Sequence, residues 1–110
     1  MGTVKAKYRF KANYVGKGVE GLLKEGGTSR RETVSKAITA AGGKLESFYF
    51  AFGDTDVLGV IDMPDVASAV ALSLAINASG AVNLSLTPLI LPEEVDAASK
   101  KRPGYRPPGQ

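Results

Sequence analysis

Asp56 is the residue through which this chain could do chemistry of its own. The sequence contains no histidine and no cysteine. That removes the commonest general base, the commonest transition-metal ligand and all thiolate reactions. Proton transfer is left to carboxylates, phenols and amines. If residues 42–63 fold as two strands around Phe52-Gly53-Asp54-Thr55, Asp56 falls on one side of a sheet with Tyr49, Arg9, Lys7 and Asp62. A dry interface would make Asp56 a stronger base, with Tyr49 as donor and Arg9 as substrate holder. The competing reading is a cross-strand ion-pair lattice at a subunit interface, and it is the favoured one, because structural ion pairs cluster in the same way. Asp54, Asp56 and Asp62 suggest Mg²⁺ or Ca²⁺ by type, but Asp54 sits close to the turn and on the opposite parity from Thr55, so a shared site is weakly supported. Neither a metal nor a cofactor is expected.

Two other stretches have ligand-binding chemistry. Thr28, Ser29, Arg30 and Arg31 follow Gly26-Gly27 at a helix start, where free N–H donors and a partial positive charge favour anions. Guanidinium forks suit carboxylate or phosphate. The plainer alternative is a capped helix start, Ser29 to Glu32 matching a capping box, with solvated or subunit-contacting arginines. Gly16-Lys17-Gly18-Val19-Glu20-Gly21 matches G-x-G-x-x-G. The chain is too short for a doubly wound fold and no acid ends a strand about 20 residues on. It reads as a glycine-rich turn.

The elements that must position these residues follow from periodicity. Lys5–Tyr14 alternates, with Ala6, Tyr8, Phe10, Ala12 and Tyr14 on one side and Lys5, Lys7, Arg9, Lys11 and Asn13 on the other, as a half-buried strand does. Val19, Leu22 and Leu23 have helical spacing. Val34, Ala37, Ile38 and Ala41 continue the stripe after a break at Gly26-Gly27, and Gly42-Gly43 ends it. With Gly53-Asp54 as a two-residue II′ turn, Phe52 faces Thr55, Phe50 faces Val57, Phe48 faces Gly59 and Glu46 faces Ile61. That face is core. The opposite one carries Leu45, Ser47, Tyr49, Ala51, Asp56, Leu58, Val60 and Asp62. Asp62 and Pro64 announce a third helix, Val66–Ala78, which is apolar nearly all round and therefore calls for cover on two sides. Val82, Leu84 and Leu86 alternate as a fourth strand before Pro88. Pro92-Glu93-Glu94 opens a short helix to about Lys101, and residues 102–110 form an extended tail.

The order strand–helix–strand–strand–helix–strand predicts an α+β, ferredoxin-like βαββαβ fold with a four-stranded antiparallel sheet and helices on one face. The polar sides of the strands converge on the open face, where a second subunit would close them into a dimeric α+β barrel-like assembly. At 110 residues, 44% of them hydrophobic, the chain supports a single domain, placed at 1–101, with the tail at 102–110. Residues 1–50 carry ten Lys/Arg against four acids, and 51–110 carry four against seven. This polarity suits subunit orientation or anion attraction. Nucleic acid is not expected, since Tyr8, Phe10 and Tyr14 point away from the lysine row and a stacking platform needs both together. No stretch is long and apolar enough to span a bilayer and no signal segment opens the chain, so a soluble, cytoplasmic protein without a membrane partner is expected.

The stretch GGKLESFYFAFGDTDV, with the MPD helix start and Asn-Ala-Ser-Gly-Ala-Val, resembles the GYD-domain family of small bacterial proteins. KEGGTSRR upstream and LTPLILPEE downstream fit as well, so the resemblance covers nearly the whole chain. The naming motif falls on Gly53, Thr55 and Asp56, with Thr55 where the family has tyrosine; Tyr49 is the nearest phenol. The resemblance implies a ferredoxin-like fold, oligomers and a function not established, and it supplies no catalytic residues. Taken together, the sequence points to a homo-oligomeric small-ligand-binding or accessory module without catalysis of its own. The alternative is a cofactor-independent enzyme using Asp56 and Tyr49.

Overall fold

The computed structural model describes residues 6–110, and Lys5 lies outside them. The elements run β1 (Ala6–Tyr14), α1 (Gly18–Glu25), α2 (Gly27–Ala40), β2 (Lys44–Phe50), β3 (Val57–Met63), α3 (Val66–Ala78), β4 (Val82–Leu89) and α4 (Pro92–Lys101). The class is α+β. The strands form one antiparallel sheet in the order β2-β3-β1-β4, with β1 and β3 central. β4 continues through Pro88 to Leu89, two residues further than the sequence implied. Being an edge strand, it can spare the N–H that proline lacks.

The alternation in β1 sends Tyr8, Phe10 and Ala12 inward and leaves Lys7, Arg9 and Lys11 exposed. Val57, Ile61 and Met63 of β3 join them, and Ile38 of α2 with Ala69 and Leu72 of α3 close the core from one side of the sheet. Each large apolar side chain so buried contributes about 1.5–3 kcal/mol. The predicted pairs Phe50↔Val57 and Phe48↔Gly59 are both present. Phe10, Phe48, Phe50 and Phe52 make a run of ring contacts at 5.9, 5.3 and 5.7 Å.

Four local expectations are corrected. A β-bulge at Glu46 shifts the register, so that Leu45 pairs with Ile61 and packs on the core while Ser47 pairs with Val60. Glu46 is thereby delivered to the outer face, where it meets the Lys7 ammonium. The unshifted register would have buried an unpaired carboxylate at a cost of several kcal/mol. The hairpin does not close as a two-residue turn. Ala51 N–H donates to Asp56 O at 2.8 Å, leaving Phe52–Thr55 as the loop, and Phe52 adopts φ 52° with its ring 61% exposed but stacked on Phe50. α2 begins at Gly27 with Gly26 as its cap, so Ser29 lies inside the helix and no Ser29–Glu32 capping box forms. Gly26 holds φ 89°, open to glycine, and the break it makes between α1 and α2 fixes the helix start earlier than the hydroxyls would. Finally, α1 does not bury its apolar side, since Val19 is exposed and Leu23 is 81% exposed.

α3 is N-capped by Asp65, whose carboxylate accepts the Ser68 N–H at 2.7 Å. That hydrogen bond holds the Asp65 carboxyl below its ordinary value. A depressed acid stabilises the fold above its unfolded pKa and ceases to do so as pH falls through its folded one. Asp65→Ala will therefore lower the denaturation midpoint at neutral pH, and the gap from the unsubstituted protein will close in strong acid. Urea melts of both proteins at the two pH values check this.

Candidate functional site

The outer face of the sheet holds most of the residues singled out from the sequence, but it spreads them in rows. Lys7 lies opposite Asp62, forms an ion pair with it at 3.2 Å and contacts Glu46 as well. Those two carboxylates, Glu46 first, raise the Lys7 ammonium above its ordinary pKa. Arg9 lies opposite Val60, and Lys11 opposite Leu58, whose other neighbour is Tyr49. Tyr49 is 64% exposed and Leu58 37%. The resulting surface is an aromatic and aliphatic patch (Tyr49, Leu58, Val60) beside a row of cations.

Asp56 is engaged elsewhere. Its Oδ2 accepts the Tyr14 N–H at 2.9 Å, while its own N–H donates to Asn13 Oδ1 at 2.8 Å and Ala12 O at 3.1 Å. It thus fastens the hairpin loop to the end of β1. Four residues along that strand, about 13 Å, separate this end from Arg9. Asp56, Tyr49 and Arg9 are not brought together. The concave polar spot on this face is instead a hollow of about 230 Å³ lined by Lys11, Asn13, Asp54, Thr55, Asn83, Leu84 and Ser85. Among the described residues no three acids converge to hold a metal ion.

The geometry separates structural from catalytic use of Asp56. Asn keeps an acceptor for Tyr14 N–H, so Asp56→Asn will fold with a midpoint close to the original, whereas Asp56→Ala will lose about 1 kcal/mol or more by orphaning a part-buried donor. Chemical denaturation of the two variants measures the difference. A turnover unchanged in Asp56→Asn would remove Asp56 as a base.

The Thr28–Arg31 group divides in two. Thr28 and Arg31 border a hollow of about 240 Å³ beside Gly27, Phe48 and Phe50. Arg30 turns the other way, within 3.8 Å of Glu25 and alongside Tyr14. The glycine pattern at 16–21 runs from a turn into the start of α1 and is close-packed only at Gly18, where a Cβ would lie 2.2 Å from the Ala81 carbonyl oxygen, while Gly21 stands in open space.

Arg30 marks the feature the sequence did not reveal. Between α1–α2 and α3 runs a groove of about 690 Å³, walled by Ala37, Ala40, Ala41, Ala71, Ala75, Leu72 and Ile76, with Tyr14, Glu25 and Arg30 together at its polar end and Lys17 on its rim at the start of α1. Burial raises the Tyr14 phenol above its ordinary pKa, against the opposing pull of Arg30. The signal in the sequence is the recurrence of alanine at helical spacing on both α2 and α3, which by itself fits a buried stripe equally well.

With β1, the aromatic hairpin and the outer face in place, the chain is an α+β protein with one four-stranded antiparallel sheet. The GYD domain model matches residues 8–98, and the chain belongs to the GYD-domain family. No curated protein and no solved structure matches it. Among the described residues, no helix is long and apolar enough to cross a membrane.

Proposed function

We propose that this protein is a homo-oligomeric, small-ligand-binding or accessory module with no catalytic activity of its own. The observation that carries the reading is the C-terminal arm. Every residue of α4 is exposed, as are Leu89, Ile90, Leu91 and Val95 leading into and along it. The radius of gyration is 17.1 Å, against about 13 Å for a compact chain of this length. A helix this short is marginal in water without tertiary support. A second copy supplies that support, and α3 offers an uncovered apolar stripe of Val66, Val70 and Leu74 for such contacts.

The strand order, read from the other edge as 4-1-3-2, and the placing of α2 and α3 on one side support a ferredoxin-like fold. The Tyr49–Leu58–Val60 patch, ringed by the Lys7 ion pairs, supports closure of the outer face against another subunit in a barrel-like dimer. Exposed ion pairs add little affinity but orient partners. The dispersal of Asp56, Tyr49 and Arg9 weighs against the enzymatic alternative. Native mass spectrometry at micromolar concentration tests the reading. Multiples of the 11.5 kDa chain are expected, and a monomer alone would overturn it.

A further inference from the structure

We infer that the groove between α2 and α3 binds a small amphipathic carboxylate, its head on Arg30 and Tyr14 and its apolar body along the alanines of the two helices. The inference deepens the small-ligand part of the reading above. Protein interiors are packed to the density of organic crystals, and alanine-faced helices are the ones able to approach most closely. Here they do not close on each other, and a space of about 690 Å³ stays between them. That volume falls within the range of small-molecule sites, which pair apolar walls with a few polar groups at one end.

The polar end defines the head group. Arg30 and the Tyr14 hydroxyl stand there with a single carboxylate, Glu25. The Arg30–Glu25 separation of 3.8 Å is an ion pair without a hydrogen bond, so guanidinium donors remain for a ligand. Tyr14 keeps its proton at neutral pH and so can donate beside them. One carboxylate in the same corner favours a monoanion over a dianionic phosphate. The walls define the body. Methyl side chains on both helices leave room for an unbranched chain or a flat ring, and Ser79, which also lines the groove, already donates its hydroxyl to Ile76 O. A second copy's α4 is too large to be enclosed there, a helix of that length with its side chains filling about 1,200 Å³, and the cross-link below tests whether it lies across the mouth instead.

Decanoate is the probe, titrated into the full-length protein by calorimetry with decanol and acetate as controls. Saturable binding of one decanoate per chain is expected. Arg30→Gln should weaken it on the order of tenfold, with decanol comparably weaker than decanoate. Ala75→Phe, which fills the groove from an exposed helix position, should abolish it while circular dichroism and native mass stay unchanged. Absence of binding, equal affinity for decanol, or unaltered binding by Arg30→Gln or Ala75→Phe would each overturn the inference. So would a cross-link placing another copy's tail in the groove. Because α3 both walls the groove and carries the apolar stripe offered to a second copy, native mass recorded on each sample separates a failure to bind decanoate from a failure to assemble.

Discussion

Gly59→Ala will unfold at a markedly lower urea concentration, with a loss of about 3 kcal/mol at the upper end of overpacking costs. The cause is space. A Cβ there would lie 2.0 Å from the Ser47 carbonyl oxygen and 2.6 and 2.7 Å from Phe10 Cε2 and Cζ. None of these can yield cheaply. Ser47 belongs to the paired β2 backbone just past the bulge, and its hydroxyl already accepts the Val60 N–H. Phe10 is 4% exposed and its ring meets Phe48. A small domain has roughly 5–15 kcal/mol of stability in all, so this single methyl removes a large part of it. Gly53→Ala is the internal control, because nothing lies within 4 Å of its added Cβ. Its melt should coincide with that of the unsubstituted protein. Equal midpoints for both variants would show that β2 and β3 are not paired in this register.

The need for a glycine opposite Phe48 was legible in the sequence because strand alternation is a local rule. Once Phe50 pairs with Val57, the neighbouring pair follows, and so do the inward phenylalanines and the exposed lysine row. The bulge was not legible. It is decided by comparing two whole-strand arrangements, one burying Glu46 and one burying Leu45, and the second also sets Glu46 beside Lys7, a residue far away in sequence. The start of α2 eluded the pattern for a similar reason. Ser29 and Glu32 satisfy a capping box locally, but Gly26 in its left-handed conformation had already committed the chain to helix. Val19 and Leu23 follow helical spacing, yet spacing says which residues share a side, not whether anything covers that side. The groove is the extreme case, because the gap between α2 and α3 is set by how each seats on the sheet.

The same limit applies to α4, which the sequence located between Pro92 and Lys101 without indicating what it rests on. Its start is well made: Pro92 occupies the first turn and Glu94 accepts the Leu91 N–H at 2.9 Å. Nothing on the body answers its apolar residues. Removal of residues 91–110 is therefore expected to leave the circular dichroism of sheet and remaining helices intact while converting the assembly to single chains. The core explains the first half, since its buried residues run from Tyr8 to Leu72 and none belongs to the arm. The second half follows from burial. Seating Leu91 and Val95 on a neighbour contributes about 1.5–3 kcal/mol each, enough to set whether micromolar chains associate. Val95→Asp in the full chain should weaken association on the order of a hundredfold by the same reasoning, with the helix start untouched. Sedimentation equilibrium across a dilution series separates the outcomes. Retained oligomers in both variants would move the contact to the Tyr49–Leu58 patch alone, where Leu58→Arg would then be the substitution that breaks it.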